Sequence, residues 1–343
     1  MAPQHAAKRP QHFAEETVGS LMDFDFICVP ESYTVGETFK YLRKNVHGKA
    51  NIHYSYVIDP LGVLVGVLSL RQLLGAEEDQ VLQDIMSPAT LRLDYELDQE
   101  QAAKIFQDCD LVTLPVVDSN GRMIGVLHVD EMMDVMQQEA TEDIHKMASI
   151  SVDDDEEDKG LLESSFGWLY KKRIGWLVIL VFVNLLSGAG IASYEDLLGK
   201  YLHIVFFLPL LIASGGNAGS QSTTLVIRAM AVGDVTVKDW FKVISKEALV
   251  SFALGLTMAV AISLIGYYRG NAYNVGAETA MIVAIAMVVV VMFGSLLGAI
   301  LPFIFRLFKL DPATASTPLI TSICDIAGVF IYLGTASLFL VFD

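Results

Sequence analysis

With 343 residues, 53% of them hydrophobic, and a mean hydropathy of +0.48, the chain is too apolar to be wholly soluble or disordered, so part of it is expected to span a membrane. The formal charge of −17 is unevenly spread: residues 1–163 hold 31 Asp/Glu against 12 Lys/Arg, and residues 164–343 hold 9 against 11. The acidic half speaks against nucleic acid as a partner, because phosphate binding needs clustered Lys and Arg, and suits a cation instead.

Residues 1–20 form a short N-terminal segment with no apolar core of the kind a secretory signal needs, so the soluble half is expected in the cytosol. Cys28, Cys109 and Cys324 are odd in number and far apart, which signals neither a disulfide framework nor a thiolate metal site. Residues 21–137 contain a repeat with a period of 59: Val57-Ile58-Asp59, Gly62 and Gly66-Val67-Leu68 return as Val116-Val117-Asp118, Gly121 and Gly125-Val126-Leu127. Each copy reads as strand, turn, strand, helix, preceded by a helix at Val35–Lys44 in the first and Glu100–Asp108 in the second. These residues resemble a tandem pair of CBS domains, whose two α/β halves surround a nucleotide-sized cleft. Two ordinary hairpins with Gly turns are the alternative.

Residues 138–163 are read as an acidic connecting helix and linker. The helix is expected over Glu131–Ile150, where Met132, Val135, Met136, Ile144 and Met147 alternate with acids, and the run Asp153–Asp158 follows as a solvated linker. Residues 164–343 form an all-α membrane domain of five spans, approximately Ile174–Ser193, Leu202–Met230, Ala248–Tyr268, Glu278–Phe305 and Ala313–Phe342, with Pro209 and Pro302 as candidate kink sites. Nine Lys/Arg on the loops of the cytosolic side against Lys200 and Arg269 on the other obey the positive-inside bias and place Asp343 outside.

Asp325 falls near the middle of the fifth span, where a carboxylate costs several kcal/mol unless it faces water or an ion. The second span carries Ser214-Gly215-Gly216-Asn217-Ala218-Gly219-Ser220-Gln221-Ser222, too polar for a lipid-facing helix. Asn217 and Gln221 lie four apart on one face, and their amide oxygens suit the water shell of a hard cation. Close helix packing is the competing explanation for the glycines.

The Gly-Gly-Asn-Ala-Gly-Ser-Gln run, Asp311-Pro312 before the fifth span, Thr317-Pro318 and Asp325 within it, a CBS pair, an acidic helix and five spans occur in an order that resembles the MgtE family of magnesium channels and transporters. The resemblance covers roughly residues 21–343. It implies a homodimer in the lipid bilayer with a pore at the dimer interface that conducts hydrated Mg²⁺, with Asp325 as pore carboxylate and Asn217 as its polar companion. It further implies that Mg²⁺ is also a regulatory ligand, held by Asp98, Asp110, Glu131, Asp134, Glu139, Glu142, Asp143 and Asp311, and that ion binding there closes the pore. Relatives commonly carry a further acidic helical domain ahead of the CBS pair, which is expected to be missing here. ATP is a candidate ligand of the CBS pair, weakened because the expected Thr and Asp positions hold Ser69 and Gln72 in one copy and His128 and Glu131 in the other. Transport of Co²⁺, Ni²⁺ or Mn²⁺, and a membrane-anchored nucleotide sensor, are the alternative functions. No nucleophile–base pair, phosphate loop or zinc motif points to an enzyme.

Overall fold

The computed structural model describes residues 13–45, 52–151, 162 and 164–340. Asp153–Asp158, read above as a solvated linker, and Asp343 lie outside the described residues. The chain groups into two compact units, Met1–Ala140 and Thr141–Asp343.

The first unit opens with α1 (Val18–Leu21), β1 (Cys28–Pro30), α2 (Val35–Asn45), β2 (Tyr54–Ile58), β3 (Leu64–Ser69), α3 (Leu70–Gly75), α4 (Leu82–Ile85) and β4 (Ser87–Pro88). It continues with β5 (Leu93–Asp94), α5 (Gln99–Asp108), β6 (Thr113–Val117), β7 (Met123–His128) and the start of α6 (Val129–Met147). The strands form one sheet in the order β1-β2-β3-β4 and a second in the order β5-β6-β7. In each, a parallel pair is followed by an antiparallel hairpin, and the hairpin registers correspond: Tyr54 pairs with Ser69, Thr113 with His128.

The cause of this correspondence is local. Asp59 Oδ1 accepts hydrogen bonds from the backbone N–H groups of Leu61 and Val63, both 2.8 Å, and Asp118 Oδ1 accepts from Asn120 (2.9 Å) and Arg122 (2.8 Å). Gly62 and Gly121 then turn through positive φ, +83° and +75°, a conformation that costs other L-residues roughly 1–2 kcal/mol. The two turns also bind each other, since Leu64 N–H donates to Gly121 O (3.0 Å) and Met123 N–H donates to Gly62 O (3.2 Å). Each half keeps its own apolar core, around Val29, Val57 and Leu68 or around Leu93, Leu114 and Leu127, and Tyr56, Leu64, Met123 and Val126 form a third cluster between them.

The second unit contains the last turns of α6, then α7 (Phe166–Ala192), α8 (Glu195–Lys200), a 3₁₀ segment at Leu202–Phe207, α9 (Leu208–Ala231), α10 (Trp240–Asn271), α11 (Gly276–Leu307) and α12 (Thr317–Leu340). Five of these stretches are long and apolar enough to cross a membrane: Phe166–Ala192, Leu202–Ala231, Val237–Asn271, Gly276–Leu307 and Thr317–Leu340. The first begins eight residues before the expected Ile174, because Trp168, Tyr170 and the basic triplet continue the helix outward, capped by Ser165 accepting from Trp168 N–H. The last begins at Thr317 and not Ala313, because Pro312–Thr314 form a 3₁₀ turn capped by Asp311. Pro209 sits in the first turn of α9, where its missing N–H leaves no bond unmade, so it is not a kink. Pro302 lies inside α11.

The helices pack through glycines. A Cβ on Gly294 would overlap the carbonyl oxygen of Gly215, one on Gly298 that of Gly219, and one on Gly219 would stand 2.8 Å from Gly294 O. The Thr223 hydroxyl donates to Gly298 O (2.9 Å) across the same crossing, so α9 and α11 touch backbone to backbone. At the far end of the bundle, Tyr332 Oη donates to Ile204 O (2.8 Å) and Tyr201 Oη to Leu340 O (3.1 Å), tying α12 to the 3₁₀ segment.

Candidate functional site

Asp325 is held on α12 between Thr321 and Gly328, and both of those positions face α9. A Cβ on Gly216 would stand 3.2 Å from Thr321 Cγ2, and one on Gly328 would stand 3.3 Å from Ile212. The carboxylate therefore lies on the helix that packs along the Ile212–Gly216 stretch, immediately before Asn217. From the other side, the Ser187 hydroxyl of α7 approaches the backbone oxygen of Asp325 at 3.5 Å. The Asp325 side chain is half-buried, and among the described residues it accepts no hydrogen bond and forms no ion pair. Such a charge in an apolar bundle needs water or a cation.

The polar run of α9 divides by hydrogen bonding. Ser214 donates to Leu210 O (2.7 Å), Ser220 to Gly216 O (2.8 Å) and Thr224 to Ser220 O (2.9 Å), so these hydroxyls satisfy themselves on their own helix. Gly215, Gly216 and Gly219 are buried at helix contacts, as the packing explanation for them requires. Asn217 and Gln221 are different: both are exposed, and neither amide has a partner among the described residues. The face they share is free among the described residues.

The regulatory set is scattered. Among the described residues no three His, Cys, Asp or Glu side chains gather closely enough to hold a metal ion. Asp98 caps α5, accepting from Gln101 N–H (3.1 Å), while Asp110 lies just beyond the opposite end of that helix and is exposed. Glu131 and Asp134 are exposed on α6, and Glu139 accepts from Gln99 Nε2 (2.7 Å). Asp143 is half-buried in the last turns of α6.

Glu142 and Asp311, 169 positions apart in the sequence, do meet, but through a residue that the sequence reading passed over. Lys146 Nζ bridges them, pairing with Glu142 four residues earlier and with Asp311 Oδ2 at 2.7 Å. Burial works against the ammonium charge, but the hydrogen bonds to Asp311 and Glu142 outweigh it and hold the Lys146 pKa above its usual value. Two more contacts fix this junction: Ser149 Oγ lies 2.6 Å from Ser316 Oγ, and Met147 packs with Ile227, Ala313 and Ala315. The Glu142–Lys146 pair was legible as a spacing of four on a helix, whereas Asp311 was not.

Sequence reasoning also missed His203, which is buried at the start of the second span. Its Nε2 lies 3.1 Å from Thr279 Oγ1, and because that hydroxyl already donates to Val275 O (2.7 Å), the imidazole is the donor. The ring stacks on Tyr273 at 5.0 Å, an arrangement that packs the loop ends of the bundle.

The nucleotide candidates are engaged elsewhere. Ser69 and Gln72 form a capping box at the start of α3: Ser69 Oγ accepts from Gln72 N–H (3.2 Å), and Gln72 Oε1 accepts from Ser69 N–H (2.8 Å). Gln72 Nε2 also reaches Ser87 Oγ (3.1 Å). His128 lines a small cleft with Tyr54, Tyr56 and Thr113, and its Nδ1 lies 3.0 Å from Thr113 Oγ1.

Residues 208–335 match the family profile described as MgtE, a divalent cation transporter, and residues 18–79 and 82–138 each match the CBS domain. Over 330 residues the chain is 37% identical to the magnesium transporter MgtE of Thermus thermophilus, an alignment covering 96% of this chain and 71% of that protein. It is 32% identical over the same length to the magnesium transporter MgtE of Bacillus subtilis, again covering 96% and 71%. A crystal structure described as the cytosolic domain of the Mg²⁺ channel MgtE in complex with ATP aligns with 36% of this chain and 50% of its own at 38% identity, with a TM-score of 0.35.

Proposed function

The chain belongs to the MgtE family of divalent cation transporters, and on that premise we propose that it carries Mg²⁺ across the membrane through a pore lined by Asp325, Asn217 and Gln221. The observation that carries this reading is the unpaired Asp325 carboxylate, near mid-span on the helix packed along the Gly-rich stretch of α9. Mg²⁺ gives up its water reluctantly and prefers six oxygens, so a carboxylate with neighbouring amide oxygens suits a hydrated ion better than a dry cage. One such set per chain is too few to surround an ion. A homodimer with the pore on its axis doubles it, and the free face of Asn217 and Gln221 supports that arrangement.

The soluble CBS unit is assigned to the cytosol, with the chain's end beyond α12 on the opposite side. Regulation is assigned to the acids of α6 and Asp311. Where Glu142 and Asp311 converge, the tethered ammonium of Lys146 holds the position a divalent ion would take. Free Mg²⁺ competes there by drawing carboxylates together that otherwise repel, which favours the closed state. Ion flux into liposomes containing the purified full chain, with Mg²⁺ compared against Ca²⁺, Co²⁺ and Mn²⁺ under an imposed voltage, tests this assignment. Mg²⁺ entry that depends on Asp325 supports it. No divalent flux at all would return the chain to the reading of a membrane-anchored sensor, and flux of Co²⁺ or Mn²⁺ without Mg²⁺ would reassign the cargo.

A further inference from the structure

A cavity of about 510 Å³ opens where the chain leaves α6 and enters the membrane, with Ser149, Phe166, Arg173, Trp176, Leu177 and Pro318 on its walls. Its size is within the ~300–1,000 Å³ usual for small-molecule sites. Two hydrogen-bond donors on the wall have no acceptor among the described residues. The indole Nε1 of Trp176 is buried without a partner among the described residues, and the Arg173 guanidinium forms no ion pair among them. A buried indole N–H ordinarily finds an acceptor.

The depth of the cavity is set by sequence. Arg173 ends the triplet Lys171-Lys172-Arg173 and directly precedes the apolar run from Ile174, which places it at the edge of the hydrocarbon. Trp168 and Tyr170 lie within about a turn and a half of it, the aromatic composition typical of a membrane interface, and Lys172 is already spoken for, its Nζ 4.1 Å from the Trp168 ring centroid. The cavity thus combines an apolar wall with a cation and an N–H donor at one depth, the level of lipid headgroups. A soluble anion would leave the wall wet, and a zwitterionic or neutral amphiphile would leave the guanidinium without net compensation.

We propose that this cavity binds one anionic phospholipid of the leaflet on the basic side, its phosphate taken by Arg173 and the Trp176 N–H and an acyl chain lying against Leu177 and Pro318. Because Ser149 and Pro318 share the cavity, the lipid rests on the junction between the end of α6 and the first turn of α12, the helix that bears Asp325.

The test uses the full chain with Trp168→Phe and Trp240→Phe, so that Trp176 is the sole tryptophan, in nanodiscs of phosphatidylcholine with increasing phosphatidylglycerol. Either lipid is brominated on its acyl chains to quench by contact. The expected result is that brominated phosphatidylglycerol quenches Trp176 at a several-fold lower mole fraction than brominated phosphatidylcholine. Arg173→Gln should bring the two curves together, Arg173→Lys should keep most of the preference, and Lys171→Gln, outside the wall, should leave it. Equal quenching by both lipids overturns the proposal, as does a preference that survives Arg173→Gln. An equal loss in Lys171→Gln would show diffuse surface charge only, and a tryptophan that neither lipid quenches would show that protein, a second copy included, fills the cavity.

Discussion

Asp325 and the glycines beside it set opposite demands on one packed region, and single substitutions separate them. Asp325→Asn keeps the side chain's size and removes its charge, so the helix packing around Thr321 and Gly328 stays intact while the attraction for a cation is lost. We expect Mg²⁺ flux to fall by at least ~10-fold, the effect of ~1.4 kcal/mol, with an unchanged melting temperature. Flux at the parent rate would remove Asp325 from the pore. Gly294→Ala should do the reverse. Its methyl group would be driven into Gly215 O at a backbone contact that cannot yield as a flexible side chain would, at a cost of about 1–3 kcal/mol or more, read as a lower melting temperature in detergent. Gly175→Ala, whose Cβ meets nothing within 4 Å, is the neutral control. The polar run of α9 was legible in the sequence as a run but not residue by residue: whether a serine lines a pore or bonds its own helix, as Ser214 and Ser220 do, depends on rotamers that spacing does not fix.

Among the elements, the hairpins of the CBS unit were the most legible, because the Asp and Gly of each turn act on their own backbone within four residues. The ends of the membrane helices were the least legible. Hydropathy marks the apolar stretch, whereas the helix itself runs on through Trp168–Arg173 at one end of α7 and stops short of Ala313 at the start of α12, where Asp311 and Pro312 make a turn. The capping box of Ser69 and Gln72 was readable in principle from the Ser-x-x-Gln spacing before Leu73, a helix-start signature that competes with any ligand role. Lys146 gives the element-scale prediction. Replacing it with Met leaves Glu142 and Asp311 facing each other without a cation, so melting in EDTA should occur at a lower temperature, saturating Mg²⁺ should restore it, and half-maximal inhibition of flux should move to lower Mg²⁺. Insensitivity of both to the substitution would place the regulatory ions elsewhere. The sign with pH follows from the raised pKa: the bridge's contribution is fully present below the unfolded lysine value of about 10.4 and is lost as pH rises through the higher folded value, so a titration of the parent's melting temperature between pH 7 and 9 should show no loss from this group.

On the scale of the whole molecule, the two units differ in what holds them. The CBS unit has three apolar clusters of its own and a reciprocal pair of turn hydrogen bonds, so a fragment ending at Ala140 should unfold cooperatively on heating, followed by circular dichroism. A gradual, non-cooperative loss of signal would mean that the unit needs the rest of the chain. The membrane unit depends on backbone contact between α9 and α11 and on the burial of α12. Its first helix, α7, stands apart: of the five spans it is the least buried within the chain, at 11% against 22% to 44% for the others, and its mean hydropathy is 2.2.

That contrast bears on how the molecule is made. A helix that asks so little of its neighbours can leave the translocon and settle in lipid as soon as it is synthesised, with Lys171, Lys172 and Arg173 holding its start on the side of the ribosome. The glycine-notched α9 and the charged α12 have no such independence: the notches of α9 wait for α11, and the carboxylate of α12 needs water or an ion beside it. Within this chain α7 precedes the other four spans, so its basic start biases the orientation in which the later helices insert.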